Sequence, residues 1–333
     1  MSATINLEKK HLPVLLDELI KIISPRYSGT FLDCTFGQGG YTEKILENPN
    51  NNVIAFDRDI NAIKLSQKFK KHFKNRFEFN HLKFSQINTI EKKNIKAAIF
   101  DLGYSTDQIF EEEKGLSFKF KGKLNMKMGL NSFSAHEVIN KLDKEDLTKI
   151  FKYLGEEKDA KKISSKIIRK RSQNLLSTQD LVEIINKEKK IFNFKINKST
   201  KIFQSIRMLV NQEISELIYG LINAYKILPV NSYIIVITFH SLEDKIVKYF
   251  FKSLSENKSI SRYSPVLKQA ETLFNLIQKK PIIPSVKEVN ENPPSRSAKF
   301  RYVIKKNDFY NFDTDIEEQF RNYIEIENYG DKL

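Results

Sequence analysis

The chain has 333 residues, of which 40% are hydrophobic and 11% aromatic, enough for a large folded core and outside the composition of a disordered protein. Its one cysteine, Cys34, excludes a disulfide framework and any cysteine-based zinc site, so a reducing, cytoplasmic compartment is expected. The formal charge of +15 suits a polyanionic partner, but a Lys-, Asn- and Ile-rich composition from an AT-rich genome explains the excess equally well, so charge alone selects nothing.

The first elements follow a strand–helix rhythm. His11 to Ile23 places Leu16, Leu19, Ile20 and Ile23 on one face of a short amphipathic helix. Gly29 to Thr35 is a buried-strand run ending in a glycine cluster, Asn52 to Asp57 a second strand and Ile95 to Leu102 a third, with helical patterns between them, as at Ile60 to Phe73. Short apolar runs separated by helices predict a mostly parallel, doubly wound α/β sheet. From about Thr106 to Ser205 the rhythm stops: three amphipathic helices carry Leu147, Ile150, Phe151 and Leu154, then Ala160, Ile163 and Ile167, then Leu181, Ile184 and Ile185 behind a Ser177 or Thr178 cap. The middle one shows Lys161, Lys162, Lys166, Arg169, Lys170 and Arg171 beside its apolar stripe, a face for phosphates or a solvated one. A long helix from about Phe203 to Leu228 precedes the most strand-like run, Ser232 to Phe239. After a capping box at Ser285 and Glu288 comes an alternating strand, Ala298 to Ile304. The expected organisation is a first α/β part over 1–106, a helical insertion over 107–205, a second α/β part over 206–305 and an acidic tail over 306–333. No run approaches about 20 uninterrupted apolar residues, so no membrane-spanning helix is expected, and the N-terminus lacks the apolar core of a signal peptide.

Asp33 to Tyr41 (DCTFGQGGY) sits at a strand end before a helix, where glycines let a ligand approach backbone and the helix start offers free N–H groups. Asp57, twenty residues beyond Gly37, closes the next strand, where an acid can bind both ribose hydroxyls. These features serve nicotinamide enzymes and methyltransferases alike. Asp33 favours the latter, because a carboxylate before the loop repels a pyrophosphate and suits the ammonium and sulfonium of S-adenosylmethionine; the alternative is a turn-capping role. Asp101, in DLGYS, lies at the carboxyl end of the third strand. With the backbone carbonyl of Leu102 it can hold the N–H groups of an exocyclic amine whose lone pair is delocalised, or it caps a turn.

His240, in FHSLED, is either a proton acceptor or RNA contact or a strand–helix junction residue, with Ser241 and Asp244 as the helix cap. No HxxxH or carboxylate cluster suggests a metal. In FQSIRMLVNQE, Phe203, Ile206 and Val210 make a buried stripe, while Arg207 and Asn211 either reach RNA or brace the insertion. Ser295 to Arg301 (SRSAKFR) is a basic stretch with an aromatic, an RNA-binding edge or a plain surface strand.

HLPVLLDE, DCTFGQGGY, FDRDINAI, DLGYSTDQI, KGLSF with LNMKM, YLGEE, FQSIRMLVNQE, FHSLED and NPPSRSAKFR occur here in one order. Together they resemble the bacterial 16S ribosomal RNA cytosine-N4 methyltransferases over about His11 to Lys305. The resemblance implies a class I, Rossmann-like methyltransferase fold with an inserted all-helical substrate-recognition domain. It implies methyl transfer from S-adenosylmethionine to cytosine 1402 of 16S rRNA, directly and without a covalent intermediate, with the small ribosomal subunit as partner and neither a metal nor a membrane. Carried over by position, Gly39, Gly40, Tyr41, Asp57, Phe84, Asp101 and Gln108 match donor-binding residues, while the role of Asp101 in orienting the cytosine amine rests on the reading of its strand end given above. Three departures stand out: Tyr41 replaces a usual His, Asn125 and Gly129 replace two acids of the LDMRMD segment, and Pro294 replaces an Arg.

Overall fold

A computed structural model describes residues 12–90, 94–104, 111, 114–117, 123–189, 197–256, 272–308, 312 and 314–333. Its sheet is built from β1 (Thr30–Asp33), β2 (Asn52–Phe56), β3 (Phe77–Asn80), β4 (Ile95–Asp101), β5 (Tyr233–Thr238), β6 (Phe274–Asn275) and β7 (Lys299–Lys305). The strand order is β3-β2-β1-β4-β5-β7-β6. The first five are parallel, and β7 runs antiparallel to both β5 and β6. The parallel run needs both faces covered, which its sequence supports. Phe31, Val53, Ala55, Ala97, Ile99, Ile235 and Ile237 bury into one cluster with helix residues Leu19, Ile45 and Phe69. The alternate residues Leu32, Ile54, Ala98, Phe100, Ile234 and Val236 are equally buried.

The helices are α1 (Leu16–Ile23), α2 (Gly40–Leu46), α3 (Ile60–Phe73), α4 (Ala135–Lys141), α5 (Lys144–Tyr153), α6 (Ala160–Arg171), α7 (Thr178–Glu188), α8 (Thr200–Asn211), α9 (Glu213–Ile227), α10 (Ser241–Ser253), α11 (Val286–Glu291), α12 (Ile316–Gln319) and α13 (Arg321–Glu327). Their starts follow local chemistry. The Asp59 side chain accepts from Asn61 N at the head of α3, and Ser177 with Asp180 makes a reciprocal box at α7. At α11 only half of the expected box forms. Ser285 accepts from Glu288 N, but the Glu288 carboxylate turns away to accept from Leu15 N at 2.7 Å, pinning the start of α1.

The described residues fall into two compact units, one drawn from Met1–Gly103 and Leu217–Ile316, the other from Tyr104–Glu216 and Glu317–Leu333. The first holds the sheet. The second is helical, with Leu147, Ile150, Phe151, Ile163, Ile167, Leu181, Ile185, Ile202 and Ile206 buried. The boundary falls inside α9, after its first turn.

Three features differ from the reading of the sequence. β3 is an additional strand; it is four residues long and edges the sheet, so its Phe–Glu–Phe–Asn pattern is too short to stand out. The long helix is two helices, broken where Gln212 adopts a left-handed conformation (φ 49°, ψ 43°) and ends α8. The acidic tail is folded: the Glu327 carboxylate, fully buried, accepts from Ile214 N and Ser215 N, both at 2.8 Å, and from the Ser215 hydroxyl at 2.5 Å. It thereby caps the N-terminus of α9, where its oxygens meet N–H groups that have no partner within the helix.

Burial pushes the Glu327 carboxyl up to about 8, against the pull of those three donors. Because the folded value lies above the unfolded one, its contribution is complete below the usual carboxylate range and is lost as the pH rises towards 8. Glu327→Ala is expected to destabilise the helical unit by about 2–4 kcal/mol through the orphaned donors, read by denaturant titration. Glu327→Gln, which cannot ionise, should flatten the loss of stability between pH 5 and 9; an unchanged slope would assign that slope elsewhere.

Candidate active site

The strand order reverses its direction of growth between β1 and β4, which is where an open parallel sheet leaves a crevice at the carboxyl ends of its strands. Asp33 ends β1, Asp57 follows β2 and Asp101 ends β4, so three carboxylates stand at that edge. The glycine loop lies between β1 and α2. Gly39 has φ 73°, and a Cβ on it would lie 2.5 Å from the Phe69 ring; a Cβ on Gly40 would lie 2.3 Å from Pro13. Side chains are therefore excluded at both positions. Beneath the loop, the Phe36 ring meets Phe69 edge-on at 5.2 Å and packs on Phe77 and Phe79 at 5.6 and 5.5 Å, an apolar floor that fixes the loop's height.

Each acid has a distinct setting. Asp57 is partly buried, and its two oxygens accept from Gly37 N (2.7 Å) and Asp59 N (2.8 Å), which ties the loop to the end of β2. Each oxygen keeps a second lone pair for a ligand hydroxyl. Asp33 is fully buried and accepts from the Thr42 hydroxyl at 2.6 Å and from Thr35 N at 3.3 Å. It braces the loop from within, so the turn-capping reading holds for this residue. Asp101 is anchored by its own N–H, which donates to Thr35 Oγ1 at 2.8 Å, and its Oδ1 faces Gly103 N at 3.4 Å. Thr35 and Thr42, which the sequence did not single out, are the residues that orient two of the three acids; only their position in the loop could have flagged them.

Burial pushes all three carboxyls up, Asp33 to about 6 and Asp101 to about 7, and mutual repulsion adds to it: the charge of Asp57 raises Asp33, and that of Asp33 raises Asp101. The edge is thus an acidic pocket that a cationic ligand would relieve and a pyrophosphate would aggravate. The Tyr41 hydroxyl donates to Val14 O at 2.5 Å and lies beside Asp101, so the tyrosine at the usual histidine position acts through its side chain on the scaffold. Phe84 is partly exposed, its ring edge-on to Phe100 at 5.5 Å. Gln108 lies outside the described residues.

The remaining motifs are held in internal contacts. His240 itself caps α10: Nδ1 accepts from Glu243 N at 3.4 Å, while the Glu243 carboxylate accepts from Phe239 N at 2.8 Å and His240 N at 3.2 Å. The cap therefore starts one residue before the expected Ser241, because the box partner is Glu243 and not Asp244. Asp244 is freed to bind Arg301 Nε (2.7 Å) and Lys299 Nζ (2.8 Å); burial acts to raise its carboxyl, but those two cations override it and hold it below the usual range. The basic SRSAKFR stretch thus spends two cations on an internal acid. In the helical unit, Arg207 pairs with Glu213 through two bonds of 2.8 and 2.9 Å and lies 4.5 Å over the Tyr104 ring. Asn211 donates to Met126 O at 2.9 Å and accepts from Met128 N at 3.0 Å. Both residues brace the unit.

A protein-family model described as the MraW methylase family matches residues 8–306. The ribosomal RNA small subunit methyltransferase H of Rickettsia bellii (strain OSU 85-389) is 36% identical over 304 residues, covering 90% of this chain and 100% of the relative. The protein of the same name from Bartonella tribocorum is 38% identical over 303 residues, covering 90% of each. The solved structure of an rRNA methylase from Streptococcus thermophilus aligns with a TM-score of 0.41 at 11% identity, over 90% of this chain and 100% of the other, too distant to add to the fold described above.

Proposed function

The chain belongs to the MraW methylase family, and from that premise we propose that it transfers a methyl group from S-adenosylmethionine to the N4 amine of cytosine 1402 in 16S rRNA, acting in the cytoplasm on the small ribosomal subunit. The observation that carries the reading is the pair Asp57 and Asp101 beside the glycine loop, with the buried Asp33 bracing the loop behind them. Burial raises both carboxyls, and the charge of Asp33 raises Asp101 further, so this edge fits a donor bearing an ammonium and a sulfonium. When bound, that donor supplies an electrophilic methyl carbon.

Asp57 accepts from the ribose hydroxyls, Phe84 lines the adenine, and the backbone of Gly39, Gly40 and Tyr41 borders the amino-acid end, with Gln108 a further contact. Asp101 accepts from the N4 hydrogens of the cytosine. Drawing on those hydrogens localises the nitrogen lone pair that the ring otherwise delocalises, and offsets the positive charge that grows on nitrogen. Residues 107–205 form the substrate-recognition part of the chain.

The transfer is direct. Cys34 is 1% exposed and its N–H is held by Ile99 O at 2.9 Å, and burial pushes its thiol up, so it offers no thiolate to the base. Cys34→Ala is expected to keep the transfer rate within about threefold of the parent, measured as initial velocity with saturating donor; loss of activity would overturn direct transfer. The reading as a whole is tested by transfer of tritiated methyl to 30S particles that lack the modification, beside naked 16S rRNA and duplex DNA. N4-methylcytidine at position 1402 of the particles is the expected product, and label in DNA alone would overturn it.

A further inference from the structure

Helix α6 and the turn before it sort their cations into two groups. Lys170 bonds Asp180 at 2.5 Å and lies 3.7 Å from Glu183, and Arg171 donates to Ile139 O at 2.8 Å, so both hold neighbouring elements together. Lys158, Lys161, Lys166 and Arg169 have no carboxylate within ion-pair distance among the described residues, and Lys162 has only a long one, Asp159 at 3.7 Å. These five cations line a groove of about 590 Å³ that also contains Asp159 and Glu188.

Their spacing is regular. On α6, Lys162 and Lys166 lie one four-residue step apart, and Lys161 and Arg169 flank Ser165 in a second row, with Lys158 in the turn just before the helix. Each step rises roughly 6 Å along the helix, comparable to the repeat of a nucleic-acid strand. Like charges one turn apart repel, so the free protein gains nothing from holding them together. Asp159 and Glu188 offset only part of the charge of five cations, which marks a surface whose remaining counter-charge is external.

We propose that this groove is a phosphate-binding surface that holds a backbone segment of the RNA substrate. The proposal rests on the ribosomal RNA reading above. It concerns affinity and register, not base identity, since contacts to phosphates carry no sequence information.

The test uses the full chain. Lys161→Gln, Lys166→Gln and Arg169→Gln are combined in one variant, and Lys64→Gln, Lys68→Gln and Lys71→Gln, on the exposed face of α3, in a control that loses equal charge. Binding of 16S rRNA and of 30S particles is measured without donor between about 50 and 200 mM salt, followed by KM and kcat for methyl transfer. The groove variant is expected to bind roughly 10- to 100-fold more weakly, with the slope of log affinity against log salt reduced by about 2–3, a raised KM and an unchanged kcat. The control should stay within about twofold, and Lys161→Arg with Lys166→Arg should restore affinity.

Unchanged affinity and salt slope in the groove variant, or an equal loss in the control, would overturn the proposal. Because binding is read without donor, a parent protein that binds RNA through the groove yet methylates only another acceptor would overturn the reading of the reaction and support the surface.

Discussion

Asp101→Asn is expected to lower kcat for methyl transfer by about 10²–10³-fold, the usual effect of removing one group that stabilises charge developing in a transition state. The substitution preserves shape, and the main-chain anchor from Asp101 N to Thr35 Oγ1 does not involve the side chain. What changes is the ability to accept: an amide keeps one acceptor oxygen and turns a donor towards an amine that is itself a donor.

The same residue sets the pH dependence. Burial, followed by the charge of Asp33, raises its carboxyl to about 7, while Gly103 N and Tyr41 pull the other way. Below that value the carboxyl carries a proton and is poorer as an acceptor, so kcat/KM should rise about tenfold per unit up to near pH 7 and then level off. In Asp101→Asn the inflection should vanish. The sign for stability is opposite to that for activity. The folded value exceeds the unfolded one, so the parent loses stability as pH rises from about 4 to 7, and the inactive Asn variant should melt a few degrees higher at pH 8. A variant that keeps parental kcat, or an inflection that survives the substitution, would remove Asp101 from the chemistry.

Asp57→Ala should act on the donor instead. It removes two acceptors of charged-group strength from the loop, at Gly37 N and Asp59 N, together with the free lone pairs assigned to the ribose. Hydrogen bonds to a charged group contribute about 1.5–3 kcal/mol each, so donor affinity should fall by about 10²-fold or more. Asp57→Asn, which retains one acceptor oxygen, should fall about tenfold. Calorimetry with S-adenosylmethionine reads both, and an affinity within about threefold of the parent would show that Asp57 only braces the loop. The two carboxylates thus predict separable losses, one in kcat and one in donor binding.

Much of this arrangement is legible in the sequence. Glycines whose added Cβ would strike Phe69 or Pro13 leave a spelling in the chain, and so do strands buried on both faces, because their apolar runs are continuous. The same local reading fails where the deciding partner is distant. Asp33 resembles a ligand-facing acid until Thr42 takes up its outer oxygen. Glu288 resembles half a capping box until it is seen to hold Leu15, 273 residues away in sequence. The cations of SRSAKFR look available until Asp244 claims Lys299 and Arg301. The break at Gln212 leaves no glycine or proline to announce it, since the left-handed residue there is a glutamine whose N–H closes the helix on Leu209 O and Met208 O.

The cap that Glu327 provides also has a temporal meaning. The helical unit takes its first stretch from Tyr104–Glu216 but is completed only by Glu317–Leu333. During synthesis the N–H groups of Ile214 and Ser215 must wait for their acceptor while the intervening chain is made, on the order of ten seconds at ordinary elongation rates. The sheet waits in the same way, because β7, the strand that follows β5 in the sheet, is translated near the end. Neither unit can therefore finish until these later segments are made, and excising 104–216 as an independent module would leave its last helix start uncapped. The order of the segments therefore delays completion of both units, and the interval in which chaperones and proteases can act on them lasts until these later segments have been made.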